Sequence, residues 1–177
     1  MLVGNAIVGQ SGGPTAAINA TLAGVIRGAL ASDCVEKIYG MRNGIEGLMN
    51  ENIIDLGEIF AEDSALRVLE QTPAAALGSC RKKLPKPAED KAFFDNLIEL
   101  FKKYDIRYFF YIGGNDSMDT CDKVSRFMTK SGYECRVMGV PKTIDNDLMA
   151  TDHTPGFGSA SKFVATTVSE IVRDINV

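Results

Sequence analysis

The sequence has 177 residues, enough for one domain with a sizeable core, or for one domain and the start of another. Apolar residues make up 45% and charged residues 24%, an ordinary globular mix that excludes a disordered chain. A net charge of -4, with both signs spread along the chain, argues against a general nucleic-acid binder or a polybasic membrane binder, but leaves room for a local phosphate site.

There is no apolar run of the roughly 18 residues that a membrane span needs. The first residues lack the basic and long apolar regions of a secretory signal. Cys34, Cys80, Cys121 and Cys135 form no CxxC pair and are expected to be reduced thiols in a cytoplasmic protein. His153, the one histidine, gives a zinc site or a Ser–His pair little to work with and reads as a loop or packing residue.

In chain order, Asn5 to Val8 reads as a buried strand running into a glycine cluster. Thr15 to Leu30 carries apolar residues at helical spacing. Lys37 to Tyr39 and Ile53 to Leu56 are weak strands, and Ile59 to Gln71 and Lys91 to Tyr104 are amphipathic helices. The loop between these helices holds Gly78, Pro85, Pro87 and the basic run Arg81-Lys82-Lys83. Arg107 to Ile112 is the strongest strand, stopped by Gly113 and Gly114. A helix from Ser117 to Lys130, a strand from Cys135 to Val140 and a helix from Ser159 to Asp174 complete the pattern. Alternating strands and helices imply a parallel α/β sheet, whose ligands bind at the carboxyl ends of the strands.

Three strands end in polar or glycine-rich turns: Gly9 to Thr15, Gly113 to Ser117 and Pro141 to Asp147. In the first, Gly12 and Gly13 let backbone approach an anionic oxygen near a helix N-terminus; a plain tight turn is the alternative. The second adds Gly114, Asn115, Asp116 and Ser117, where Asp116 and Ser117 serve equally well as helix caps. In the third, Asp145 and Asp147 lie two apart, so an extended backbone would turn both carboxylates to one side. Beside a phosphate site such a pair suits a base or help with magnesium, and Lys142 suits a charge-balancing cation. An Asx-turn with solvated acids is the alternative. Gly156-Phe157-Gly158-Ser159 reads as a helix start capped by Ser159, with a second anion-binding turn as the alternative.

These turns, with SGGPTAAIN from Ser11, GSCRK from Gly78, GGNDS from Gly113, PKTIDND from Pro141 and TDHTPGFGSA from Thr151, resemble the phosphofructokinase family from about Asn5 to the last residue. Asp116 and Lys142 look like the diphosphate-dependent branch, since the ATP-dependent branch typically has glycine at both places. The resemblance implies an α/β, parallel-sheet, three-layer sandwich of the phosphofructokinase type with an incomplete chain. Residues 1–147 would form most of the diphosphate-binding domain and 148–177 the start of the sugar-phosphate domain.

The resemblance also implies roles. Asp145 is the general base for the sugar 1-hydroxyl, with Asp147 holding the transition-state arrangement and the metal. Arg81 and Lys142 offset charge on the transferring phosphoryl group, and Gly12 and Gly13 hold diphosphate through backbone N–H groups. Asp116 stands where the α-phosphate of ATP would sit; two unit charges ~4 Å apart at an effective dielectric of ~20 repel by ~4 kcal/mol. Thr143, Ile144, Gly114, Ser117 and Lys82 complete the substrate-binding set, with Asn115 and Asp147 as metal positions and Mg2+ as the cofactor. The implied reaction is reversible phosphoryl transfer from diphosphate to fructose 6-phosphate, giving fructose 1,6-bisphosphate, in a homodimer or homotetramer. An ATP-dependent 6-phosphofructokinase and a non-catalytic phosphate-binding subunit of the same fold are the alternatives.

Overall fold

The structure, a computed structural model, describes residues 1–176. Its strands are β1 (Gly4–Gln10), β2 (Val35–Met41), β3 (Ile53–Asp55), β4 (Ile106–Gly113) and β5 (Arg136–Pro141). Its helices are α1 (Ile18–Leu30), α2 (Gly44–Met49), α3 (Leu56–Ile59), α4 (Asp63–Gln71), α5 (Lys91–Lys103), α6 (Asn115–Lys130) and α7 (Phe157–Ile175). The chain divides into two compact units, Met1–Pro141 and a second beginning at Lys142.

All five strands belong to the first unit and form one sheet in the order β3-β2-β1-β4-β5. β1 lies at the centre, parallel to β2 and to β4, with Ile7 opposite Tyr39 on one side and Phe109 on the other. β5 extends the parallel run, Met138 opposite Phe110. β3 differs from the all-parallel expectation. It pairs antiparallel with β2, Gly40 opposite Ile54, because only the short helix α2 and a turn separate them. A connection that short returns the chain in the opposite direction, whereas a parallel neighbour needs a crossover of a dozen or more residues.

The strand period of two sends alternate side chains to two faces. Ile7, Phe109 and Tyr111 join Met41, Phe94, Leu97 and Phe101 in one apolar cluster. Ala6, Val8 and Ile112 join Ile18, Leu22, Ile26, Leu66 and Leu69 in the other. Helices on both faces make the unit a three-layer sandwich. Truncating a fully buried ring such as Phe101 would cost about 3–5 kcal/mol. Cys121 and Cys135 remain thiols, and burial pushes both up to about 12, so they pack as neutral groups.

Several helical boundaries differ from the periodicity; α6 and α7, for instance, each begin two residues before the expected Ser117 and Ser159. The helix expected from Ile59 to Gln71 is two, because the Asp55 carboxylate caps α3 through the Gly57 and Glu58 amides and Phe60 then tucks against the second cluster before α4 begins. The six-residue α2 is a helix the periodicity did not indicate; it starts after Asn43, which adopts a left-handed φ of 60°. α1 begins at Ile18, with Thr15 to Ala17 still in the turn.

The second unit is a loop from Lys142 followed by α7. No helix of the described residues is long and apolar enough to cross a membrane.

Candidate active site

At the end of β1 the Ser11 amide donates to the Ile112 carbonyl (2.9 Å), and the chain turns through Gly12 at φ +77°, a conformation that favours glycine. A distant loop grips this turn. The Gly12 amide donates to the Cys80 carbonyl (3.1 Å), the Ser11 hydroxyl donates to the same oxygen (3.2 Å), and the Ser79 hydroxyl donates to the Gly12 carbonyl. The expectation that Gly12 offers its N–H to an anion is therefore not met, because a protein carbonyl takes that hydrogen.

Behind the turn lies a buried amide network. Gln10 Nε2 donates to Asn19 Oδ1 (3.0 Å) and to the Ile18 carbonyl (3.2 Å), while Gln10 Oε1 accepts from the Leu77 amide (2.9 Å). Asn19 Oδ1 also accepts from the Ala76 amide (2.8 Å). A buried amide left without partners would cost about 1–3 kcal/mol, so this set of bonds fixes how the loop lies on the sheet.

The same loop carries the cations. Arg81 Nη2 is 3.6 Å from where a Cβ on Gly13 would stand, so the guanidinium sits at the turn. Lys82, named with the substrate-binding set, points elsewhere, its ammonium 5.2 Å from the centre of the Phe93 ring. Lys83 reaches the second turn instead, with Nζ 3.5 Å from Asp116 Oδ1.

That second turn closes on itself. The Ser117 and Met118 amides donate to the Gly114 carbonyl (2.9 and 3.1 Å), and Gly114 is the N-cap of α6 with no side-chain cap. Asp116 and Ser117 lie inside the first turn, so neither is the cap. A Cβ on Gly113 would overlap the Ser117 hydroxyl and come within 3.2 Å of the Ser11 carbonyl, so the two glycine turns abut. The Asp116 side chain is 77% exposed, at the helix end that favours negative charge.

Lys142, Thr143, Ile144, Asp145 and Asp147 lie in the second unit. The Asp145 amide donates to Thr143 Oγ1 (3.0 Å). Asn146 then adopts φ +55°, its Nδ2 donating to the Asp152 carbonyl (3.2 Å) and its Oδ1 accepting from the Thr154 amide (2.9 Å). The segment is thus bent, not extended, and the period-two argument for placing both carboxylates on one side does not hold. His153 lies exposed in a bend, its ring centre 6.0 Å from that of Phe157, a loop histidine. α7 starts from Gly156 at φ +90°, with Ser159 inside the helix instead of capping it. Among the described residues no group of three or more His, Cys, Asp or Glu side chains is placed to hold a metal.

Comparison with known proteins agrees with this architecture. The phosphofructokinase family model matches residues 5–176. The chain belongs to the phosphofructokinase family. It is 48% identical over 172 residues to the pyrophosphate–fructose 6-phosphate 1-phosphotransferase of Halomonas elongata, a match covering 97% of this chain and 41% of that protein. The crystal structure of the pyrophosphate-dependent phosphofructokinase from Nitrosospira multiformis matches with a TM-score of 0.88 at 46% identity, over 97% of this chain and 42% of that one. The ATP-dependent 6-phosphofructokinase of Oceanobacillus iheyensis is 32% identical over 169 residues. The chain thus spans about two fifths of the length of the diphosphate-dependent relatives it matches, 41% for the Halomonas protein.

Within this phosphofructokinase fold, the first unit brings Gly12, Gly13 and Arg81 together and sets Asp116 beside Lys83. Sequence reasoning missed Ser79 and Lys83. Lys83 was legible only as part of a basic run, and nothing in a linear sequence separates the lysine paired with Asp116 from the one over the Phe93 ring.

Proposed function

We propose that this chain is part of a diphosphate-dependent phosphofructokinase that transfers a phosphoryl group from diphosphate to the 1-hydroxyl of fructose 6-phosphate. The observation that carries this reading is Asp116, in the first turn of α6, in a chain more similar to diphosphate-dependent relatives (48%) than to the ATP-dependent one (32%). A carboxylate there repels a nucleotide's phosphates. Residues 1–147 are assigned to the donor domain and 148–177 to the start of the sugar-phosphate domain. The four thiols suit the cytoplasm, and the family resemblance supports a homodimer or homotetramer.

In this mechanism Asp145 takes the proton of the sugar 1-hydroxyl. The sugar oxygen forms a bond to the terminal phosphorus of diphosphate as the bridging P–O bond breaks, releasing phosphate. Arg81 and Lys142 offset charge on the transferring group, and Gly13 and Gly114 bring backbone close to the donor. Thr143 and Ile144 contact the sugar phosphate. Ser117, buried beneath the second turn, supports the donor side.

Magnesium keeps several waters and binds through one or two carboxylates and substrate phosphates. Asp147 and the neutral Asn115 are the residues assigned to it. When bound it neutralises charge on the phosphate oxygens.

The test is a donor comparison on the full-length protein carrying this chain, with magnesium, fructose 6-phosphate and either diphosphate or ATP, reading fructose 1,6-bisphosphate. Turnover with diphosphate and not ATP is expected. Turnover with ATP and not diphosphate would keep the family and overturn the donor. Turnover with neither would leave a non-catalytic subunit or a different acceptor.

A further inference from the structure

We propose that Ser79 is a positioning residue that aims the Gly13 amide at the donor, an inference that rests on the diphosphate reading. The Gly12 carbonyl, which accepts the Ser79 hydroxyl, belongs to the same planar peptide as the Gly13 N–H. In a trans peptide these two groups point in opposite directions, and there is no cis peptide among the described residues. Fixing the carbonyl therefore fixes the direction of the Gly13 N–H. A peptide between two glycines lacks the Cβ atoms that would otherwise restrict its orientation, so it flips easily unless something holds it.

Ser79 is itself anchored. The Asn43 amide donates to the Leu77 carbonyl (2.8 Å), and Asn43 Nδ2 donates to the Ser79 carbonyl (3.4 Å). On the other side of the turn, the Cys80 carbonyl takes the Gly12 amide (3.1 Å). The Gly12 residue is thus gripped at both its N–H and its C=O by adjacent residues of one loop. Two residues further on, the same loop delivers Arg81 to the turn. One serine so sets the direction of an amide donor relative to a guanidinium. It does this without being placed against substrate.

The experiment is calorimetric titration of the full-length protein with magnesium diphosphate, comparing wild type, Ser79→Ala and Ser79→Thr, with thermal melting and turnover measured alongside. Loss of one neutral hydrogen bond predicts a Kd for diphosphate weakened about 3- to 10-fold in Ser79→Ala. The KM for fructose 6-phosphate should stay within about twofold, and Ser79→Thr, which keeps the hydroxyl, should restore diphosphate binding. An unchanged Kd in Ser79→Ala overturns the proposal. So does a loss that tracks a fall in melting temperature and affects both substrates alike. If Ser79→Ala does not fold, Ser79→Cys keeps the volume while weakening the donor and must show the same selective loss. Wild type that binds diphosphate but does not turn it over defeats the functional reading and leaves the positioning role to be judged on Kd. Wild type that does not bind diphosphate overturns both.

Discussion

The two segments that carry the assigned chemistry are held in different ways. The glycine turn after β1 is fastened by residues far along the chain: Gln10 to Leu77 across 67 positions and Ser11 to Cys80 across 69. The Asp145 segment is fastened by its neighbours, Asp145 to Thr143 across 2 positions and Asn146 to Thr154 across 8. Groups that hold a highly charged donor gain from fixed geometry, because electrostatic stabilisation is strongest when dipoles need not reorganise. The Asp145 segment owes its shape to local bonds and to left-handed residues at Asn146 and Ala150. Long-range bracing couples function to the fold, and local bracing separates the two.

Substitutions can break that contrast. Asp145→Ala should lower turnover about 10²- to 10⁴-fold in a coupled assay of the full-length protein, while melting barely changes. A large fall in melting temperature would show that this segment is not locally held. Arg81→Ala should cost about 10- to 100-fold in kcat/KM for diphosphate, the range for a hydrogen bond to a charged group. Gly113→Ala forces a methyl group into the Ser117 hydroxyl and should destabilise the fold by about 1–3 kcal/mol, read as a lower melting temperature together with lost activity. Asn146→Ala combines lost local bonds with a left-handed φ, which costs about 1–2 kcal/mol, yet it should lower turnover more than it lowers melting temperature.

The smallest effect concerns donor choice. Asp116 is exposed and paired with Lys83, so its repulsion of a nucleotide is screened towards the value in water, about 1 kcal/mol at ~4 Å. Asp116→Gly should then tighten ATP binding about fivefold, well short of the nearly three decades that ~4 kcal/mol would give. No gain at all would remove Asp116 from the account of selectivity.

Much of this was legible in the sequence. The strand at Arg107 to Ile112, the helix from Lys91 and the glycine turns that follow β1 and β4 stand where pattern and punctuation place them. What was not legible depends on partners distant in sequence. The antiparallel β3 follows from a short helix that gave no periodic signal across its six residues. The different destinations of Lys82 and Lys83 depend on where α5 sets Phe93 and where α6 sets Asp116. The use of the Gly12 amide depends on the Cys80 carbonyl, a backbone acceptor that the side chains of the GSCRK stretch from Gly78 do not announce.

The Ser-Gly-Gly turn looks like a portable motif, but its shape is not written within it. Its hydrogen-bond partners arrive only after nearly 70 further residues have been laid down, a loop closure that is entropically slow to reach. The turn should therefore set late in folding, after the sheet centre has formed and the 77–81 segment has docked. A designer who transplants the nine residues from Ser11 to Asn19 onto another strand end would carry over the glycines and leave the geometry behind.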